Sequence, residues 1–170
     1  MSDGGRDVAV RKISQAKWLA DGVPWLTKGE VCADALIDLR TKDCKISLYR
    51  CANDHDNIRR VVAALGAAGN CLAHCDYALI PVQMLKDLGL KWKESEGGTP
   101  CSEVNEWHID LVELTVKGIH DLAHGIQYSC ERKRAQRLNV KCWILEEVES
   151  GEMDLARIDP KMCEALGLAV

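Results

Sequence analysis

The sequence predicts an α+β or α/β fold, with a single mixed sheet of about four to five strands packed by helices. Three patterns carry that prediction. Residues 33–39 (Ala-Asp-Ala-Leu-Ile-Asp-Leu) alternate, with Ala35, Ile37 and Leu39 on one side and Asp34 and Asp38 on the other, the period of a half-buried strand. Residues 45–51 (Lys-Ile-Ser-Leu-Tyr-Arg-Cys) form a second such segment after a short polar turn, Arg40 to Cys44, so the two read as a hairpin. Residues 100–128 instead carry a broad apolar arc at helical spacing, from Trp107 through Leu111, Leu114 and Leu122 to Ile126, and predict one long amphipathic helix.

The remaining elements follow in order. Residues 1–7 are polar and are expected to be disordered. Residues 9–20 form a short helix or an extended arm, ended by Gly22-Val23-Pro24-Trp25. Asn53 or Asp54 caps a helix to about Ala68, with Ile58, Val61, Val62 and Leu65 as its stripe. A strand over 76–80 stops at Pro81, and a short helix over 82–88 closes at Gly89. A strand–helix–strand order of this kind suits a right-handed crossover between parallel strands. Residues 93–98 are loop-like, and Thr99-Pro100 starts the long helix, with a basic extension to Arg137. Residues 138–148 and 153–158 predict two further strands, and Pro160 opens a last helix ending near Gly167.

The length of 170 residues suits a single domain spanning 1–170. The N-terminus lacks the basic and apolar regions of a leader, and no apolar run approaches a membrane span, so a soluble cytoplasmic protein is expected. In that compartment the nine cysteines stay reduced and act mainly as small buried hydrophobes. The net charge of −4 argues against a nucleic-acid partner, although Arg132, Lys133, Arg134 and Arg137 form a local basic patch.

Several residues could carry chemistry. His108 falls in the apolar arc of the long helix, so it is either a hydrogen-bonded core histidine or a general base at a pocket, oriented by Asp38 or Glu106. His120 and His124 stand one helical turn apart, as metal-binding histidines do, but Asp121 occupies the position where a metalloprotease needs Glu. Cys71, His74 and Cys75 have zinc-like spacing without a second cysteine pair, so zinc is possible and no cofactor is expected. Asp38 on the first strand with Asp43 and Lys45 at the turn mimics the acid–acid–lysine arrangement of magnesium nucleases. Cys101, at the start of the long helix, lies about 10 Å along its axis from His108, too far for a cysteine–histidine pair. Trp18, Trp25 and Trp92 fall in irregular segments where they could anchor a protein partner. The expectation is a small non-catalytic interaction, regulatory or accessory module, with a metal-dependent hydrolase or nuclease as the alternative.

Overall fold

The structure, a computed structural model, describes residues 7–18, 26–27 and 29–168. It is α+β: a sheet of six strands, one or two more than expected, in the order β4-β5-β2-β1-β3-β6, with every neighbouring pair antiparallel. The strands are β1 (Val8–Ile13), β2 (Ile46–Cys51), β3 (Cys75–Pro81), β4 (Lys91–Glu94), β5 (His108–Val112) and β6 (Glu131–Ala135). The helices are α1 (Ala33–Leu39), α2 (His55–Ala67), α3 (Val82–Asp87), α4 (Ser102–Glu106), α5 (Val116–Ser129), α6 (Arg137–Glu149) and α7 (Pro160–Leu166). No helix among the described residues is long and apolar enough to cross a membrane.

Several elements match the sequence closely. Asp54 caps α2, accepting from the Asn57 N–H at 2.8 Å, and Pro160 opens α7, which ends at left-handed Gly167. The segments at β2, β3 and α3 also stand where the pattern put them. Others do not. Residues 33–39 are a helix, and the predicted first hairpin is absent. Ala35 and Leu39, one turn apart, are fully buried while Ile37 is 58% exposed, so the burial period is helical and the apparent alternation was an accident of seven residues. Residues 138–148 belong to α6, where Val140, Ile144 and Glu147 are buried at helical spacing. Residues 153–158 supply only a single bridge, Met153 to Cys101, and a 3-10 turn. The arm at 9–20 contains β1, a central strand. Residues 132–135, read as a basic helical extension, lie in edge strand β6.

The predicted long helix is the largest correction. It divides into α4, β5 and α5, and no parallel crossover occurs in the sheet. The break sits at Glu113, which takes a left-handed φ of +55°, and Thr115 restarts the chain by accepting from the Gly118 N–H. Ahead of that break, His108, Ile109, Asp110 and Leu111 alternate across β5.

Helices cover both faces of the sheet. On the back, Ala9, Ile13, Ile46, Leu48, Ile80, Ile109 and Leu111 meet α1, α3 and α5. On the front, Val8, Val10, Tyr49, Cys51, Tyr77 and Leu79 meet α2, α4, α6 and α7. The apolar cluster of the front takes no side chain from β4 or β5, whose front positions include the buried His108 and the half-buried Asp110.

Candidate functional site

The front of β2 and β5 carries a connected polar group. Tyr49 pairs with His108 and Ser47 with Asp110 across the antiparallel register, which places all four side chains on one face. The Ser47 hydroxyl donates to Asp110 Oδ1 at 3.0 Å, and the Ser95 hydroxyl, just beyond β4, donates to Asp110 Oδ2 at 3.0 Å. Ser95 Oγ also lies 2.9 Å from His108 Nδ1. A serine hydroxyl has one proton. With that proton committed to Asp110, Ser95 accepts from His108, which therefore carries its hydrogen on Nδ1. A hydrolytic serine needs the opposite polarity, with the imidazole accepting its proton. The group is thus an ordered chain of donors converging on Asp110.

Tyr49 closes one side of this chain. Its ring meets the His108 ring edge-on, with centroids 5.0 Å apart. Burial pushes its phenol pKa up, opposed by the hydrogen bond from Gly98 N–H. The loop passes this close because residue 97 is glycine: a Cβ there would meet Asn105 Oδ1 at 2.8 Å and Tyr49 Cε1 at 3.1 Å. Asn105 locks the loop from below, accepting from Thr99 N–H at 2.8 Å and donating to the Thr99 carbonyl at 2.9 Å.

Two hollows flank the chain, and they differ in charge. Near Ser95, one of about 530 Å³ is bounded by Glu94, Glu96 and Glu106, with Arg157 as the one cation among its described lining residues. Near Ser47, one of about 480 Å³ lies where β1 and β2 separate, and its lining includes Arg11, Lys12, Lys17 and Arg40. The strands pair at Val8–Cys51, Ala9–Arg50 and Val10–Tyr49 and then part. Arg11 spans the gap: Nη1 donates to the Ser47 carbonyl and Nη2 to the Leu39 carbonyl, both at 2.9 Å.

The residues singled out from sequence are distributed differently. His108 is buried, but on a strand, and neither Asp38 nor Glu106 orients it. Asp38 lies on α1, where its Oδ2 accepts from Ser14 N–H and Trp18 Nε1–H, both at 2.7 Å. Asp43 sits in the following turn with φ +53°, and Lys45 forms the bridge that closes that turn with Lys42. The strand of acids that a nuclease hairpin needs is therefore missing. Cys75 belongs to the front core, whereas His120 and His124 lie on α5 behind the sheet, so the two pairs cannot form one site. His74 stands 3.8 Å from Asp76, His120 beside Asp121 at 3.5 Å, and His124 against the Tyr128 ring at 4.8 Å. Cys71 is exposed. Among the described residues no group of three or more His, Cys, Asp or Glu could hold a metal ion.

Among the described residues the tryptophans give no exposed row of anchors. Trp18 is 1% exposed, Trp92 is partly buried with the Arg50 guanidinium 5.8 Å from its ring, and Trp25 lies outside the described residues. The basic patch is largely engaged: Arg132 donates to the Trp18 carbonyl, Lys133 pairs with Glu131 at 2.6 Å, and Arg134 pairs with Asp76, leaving Arg137 at the start of α6. No local sequence pattern marks Arg11, Ser47, Tyr49, Ser95 and Asp110 as a site. The one available signal was the two-residue spacing of His108 and Asp110, which the helical assignment placed on opposite faces.

Comparison with protein-family models, with curated proteins and with solved structures finds no match to this chain.

Proposed function

We propose that the chain is a small non-catalytic binding module, with a regulatory or accessory role, whose ligand site lies on the front of β2 and β5. One observation supports this reading above the others: Asp110 gathers the hydroxyls of Ser47 and Ser95 outside the front core, beside a hollow of about 480 Å³. Concave sites of this size, with a few convergent polar groups beside apolar side chains, suit small ligands. The polarity of the Ser95–His108 contact favours binding over acyl transfer, because the hydroxyl is not aimed at a base. The free thiols, among them exposed Cys44, Cys71 and Cys142, suit a reducing compartment such as the cytoplasm.

Native mass spectrometry of the chain isolated from its own host tests the reading. The expected result is a small-molecule adduct near one per chain, lost in a Ser47→Val/Asp110→Val double variant that keeps a native circular dichroism spectrum. A chain that carries no adduct and co-purifies with a stoichiometric protein partner would replace a ligand module with a protein-docking one.

A further inference from the structure

We propose that the cleft between β1 and β2 binds a small organic anion of the phosphate-monoester class, recognised by Arg11, Lys12, Lys17 and Arg40; this rests on the binding-module reading and specifies its ligand.

The cleft exists because the sheet opens there. After Val10–Tyr49 the two strands no longer pair, although each continues for three more residues. The Arg11 side chain takes over, bonding the Ser47 carbonyl that a continued ladder would have used. Both arms of its guanidinium end on backbone carbonyls, and its Nε is buried without a partner among the described residues. A cation held by neutral dipoles contributes positive charge to the site. Burial lowers the Arg11 pKa, opposed by the charges of Asp38 and Tyr49.

The rest of the lining adds to this excess. Among the described residues, four cations, Arg11, Lys12, Lys17 and Arg40, line the cleft with a single carboxylate, Asp38. That carboxylate is already engaged by the Ser14 and Trp18 N–H groups, and Lys17 reaches it only at 3.9 Å. The whole chain carries a net charge of −4, so this concentration of positive charge runs against the average of the molecule. A cleft lined by one sign of charge focuses its field and draws in ligands of the other sign.

Backbone strain is stored on the same rim. Arg40 closes α1 at φ +36°, a region an L-residue rarely adopts. Such strain clusters at ligand-binding positions, where surrounding structure holds it in place.

Size and lining select the ligand class. A volume of about 480 Å³ leaves room beyond a bare tetrahedral anion, and Val10, Tyr49 and Leu65 supply an apolar wall for an organic body. A compact dianion suits the excess of three positive charges among the described lining residues, four cations less one carboxylate, an excess of two once Asp110, bonded to Ser47 at the edge of the cleft, is counted. A polynucleotide would need an extended basic track, and the cations of β6 are engaged with their own neighbours.

The test is isothermal titration of the full chain at low ionic strength with phenyl phosphate, inorganic phosphate and benzyl alcohol. Phenyl phosphate is expected to bind, inorganic phosphate to bind more weakly, and benzyl alcohol not to bind. Added salt should weaken the phosphate interaction. Lys12→Ala and Lys17→Ala should each weaken phenyl phosphate about tenfold, the loss of one charge-assisted contact. Lys161→Ala, at an exposed position of α7, should change nothing. Arg11→Ala also frees two carbonyls and can unfold the chain, so the lysine variants decide. Equal affinity in the lysine variants, or no phosphate binding, overturns the inference. If phenyl phosphate fails but the host protein carries a neutral adduct lost with Ser47 and Asp110, the anion assignment falls and the binding-module reading stands.

Discussion

Arg134 holds Asp76 with two donors, Nε to Oδ1 at 2.6 Å and Nη2 to Oδ2 at 2.9 Å, directly across the β3–β6 register. The same carboxylate accepts the Gln15 N–H at 2.9 Å, so one buried side chain ties the edge strand and the turn after β1 together. Burial pushes this carboxyl's pKa up, but the hydrogen bonds from Arg134 and Gln15, with the charges of Arg134 and His74, outweigh it and hold the pKa below its ordinary value.

A depressed carboxyl stabilises the fold above the unfolded pKa of about 3.9, and that contribution disappears as pH falls through the lower folded value. Asp76→Asn should therefore cost about 2 kcal/mol at pH 7, with the difference from wild type shrinking below about pH 4. Urea denaturation at pH 7, 5 and 3 measures this. A constant difference across that range would show that the charge of Asp76 plays no part.

Gly97→Ala drives a methyl group into Asn105 and Tyr49, with contacts of 2.8 Å and 3.1 Å. Overpacking at this crossing should cost about 2 kcal/mol and detach the loop from the Tyr49 phenol. The measurements are thermal denaturation and tyrosine absorbance, which should show Tyr49 ionising nearer its ordinary pKa once the burial that raises it is lost.

Arg40→Gly separates stability from binding. Glycine adopts the positive φ of this position without strain, so the variant should gain about 1 kcal/mol, or about 3 °C in Tm, after the entropy glycine loses on folding. The same change removes a cation from the cleft and should weaken phenyl phosphate. A calorimetric scan and a titration on one sample read both effects.

Cysteine reactivity should divide by environment. Burial pushes the Cys75 and Cys130 thiols up to about 11, so at neutral pH almost no thiolate is present at either. Exposed Cys44, Cys71 and Cys142 should be alkylated first by iodoacetamide at pH 7.5, with Cys75 and Cys130 labelled only after unfolding. Peptide mass spectrometry over a time course gives the order. Early labelling of Cys75 would contradict its place in the front core.

The sequence by itself determined a mixed α and β fold with one sheet, the strands at β2 and β3, and helices α2, α3 and α7, because those segments carry local signals: the Asp54 cap, the Pro81 stop, Pro160 at a helix start; the all-antiparallel sheet that makes the class α+β came from the tertiary structure. Only the tertiary structure decided the character of residues 33–39, 107–114 and 138–148. Runs this short satisfy both periods, and burial against a particular neighbour selects between them. The site was hidden for the same reason. Ser47 meets Asp110, Asp110 meets Ser95, and Arg11 meets Ser47 only through strand pairings and a sheet opening that join residues up to 63 positions apart. Local pattern holds no record of which strand lies beside which, and long-range pairing, with the core that rewards it, places those side chains together.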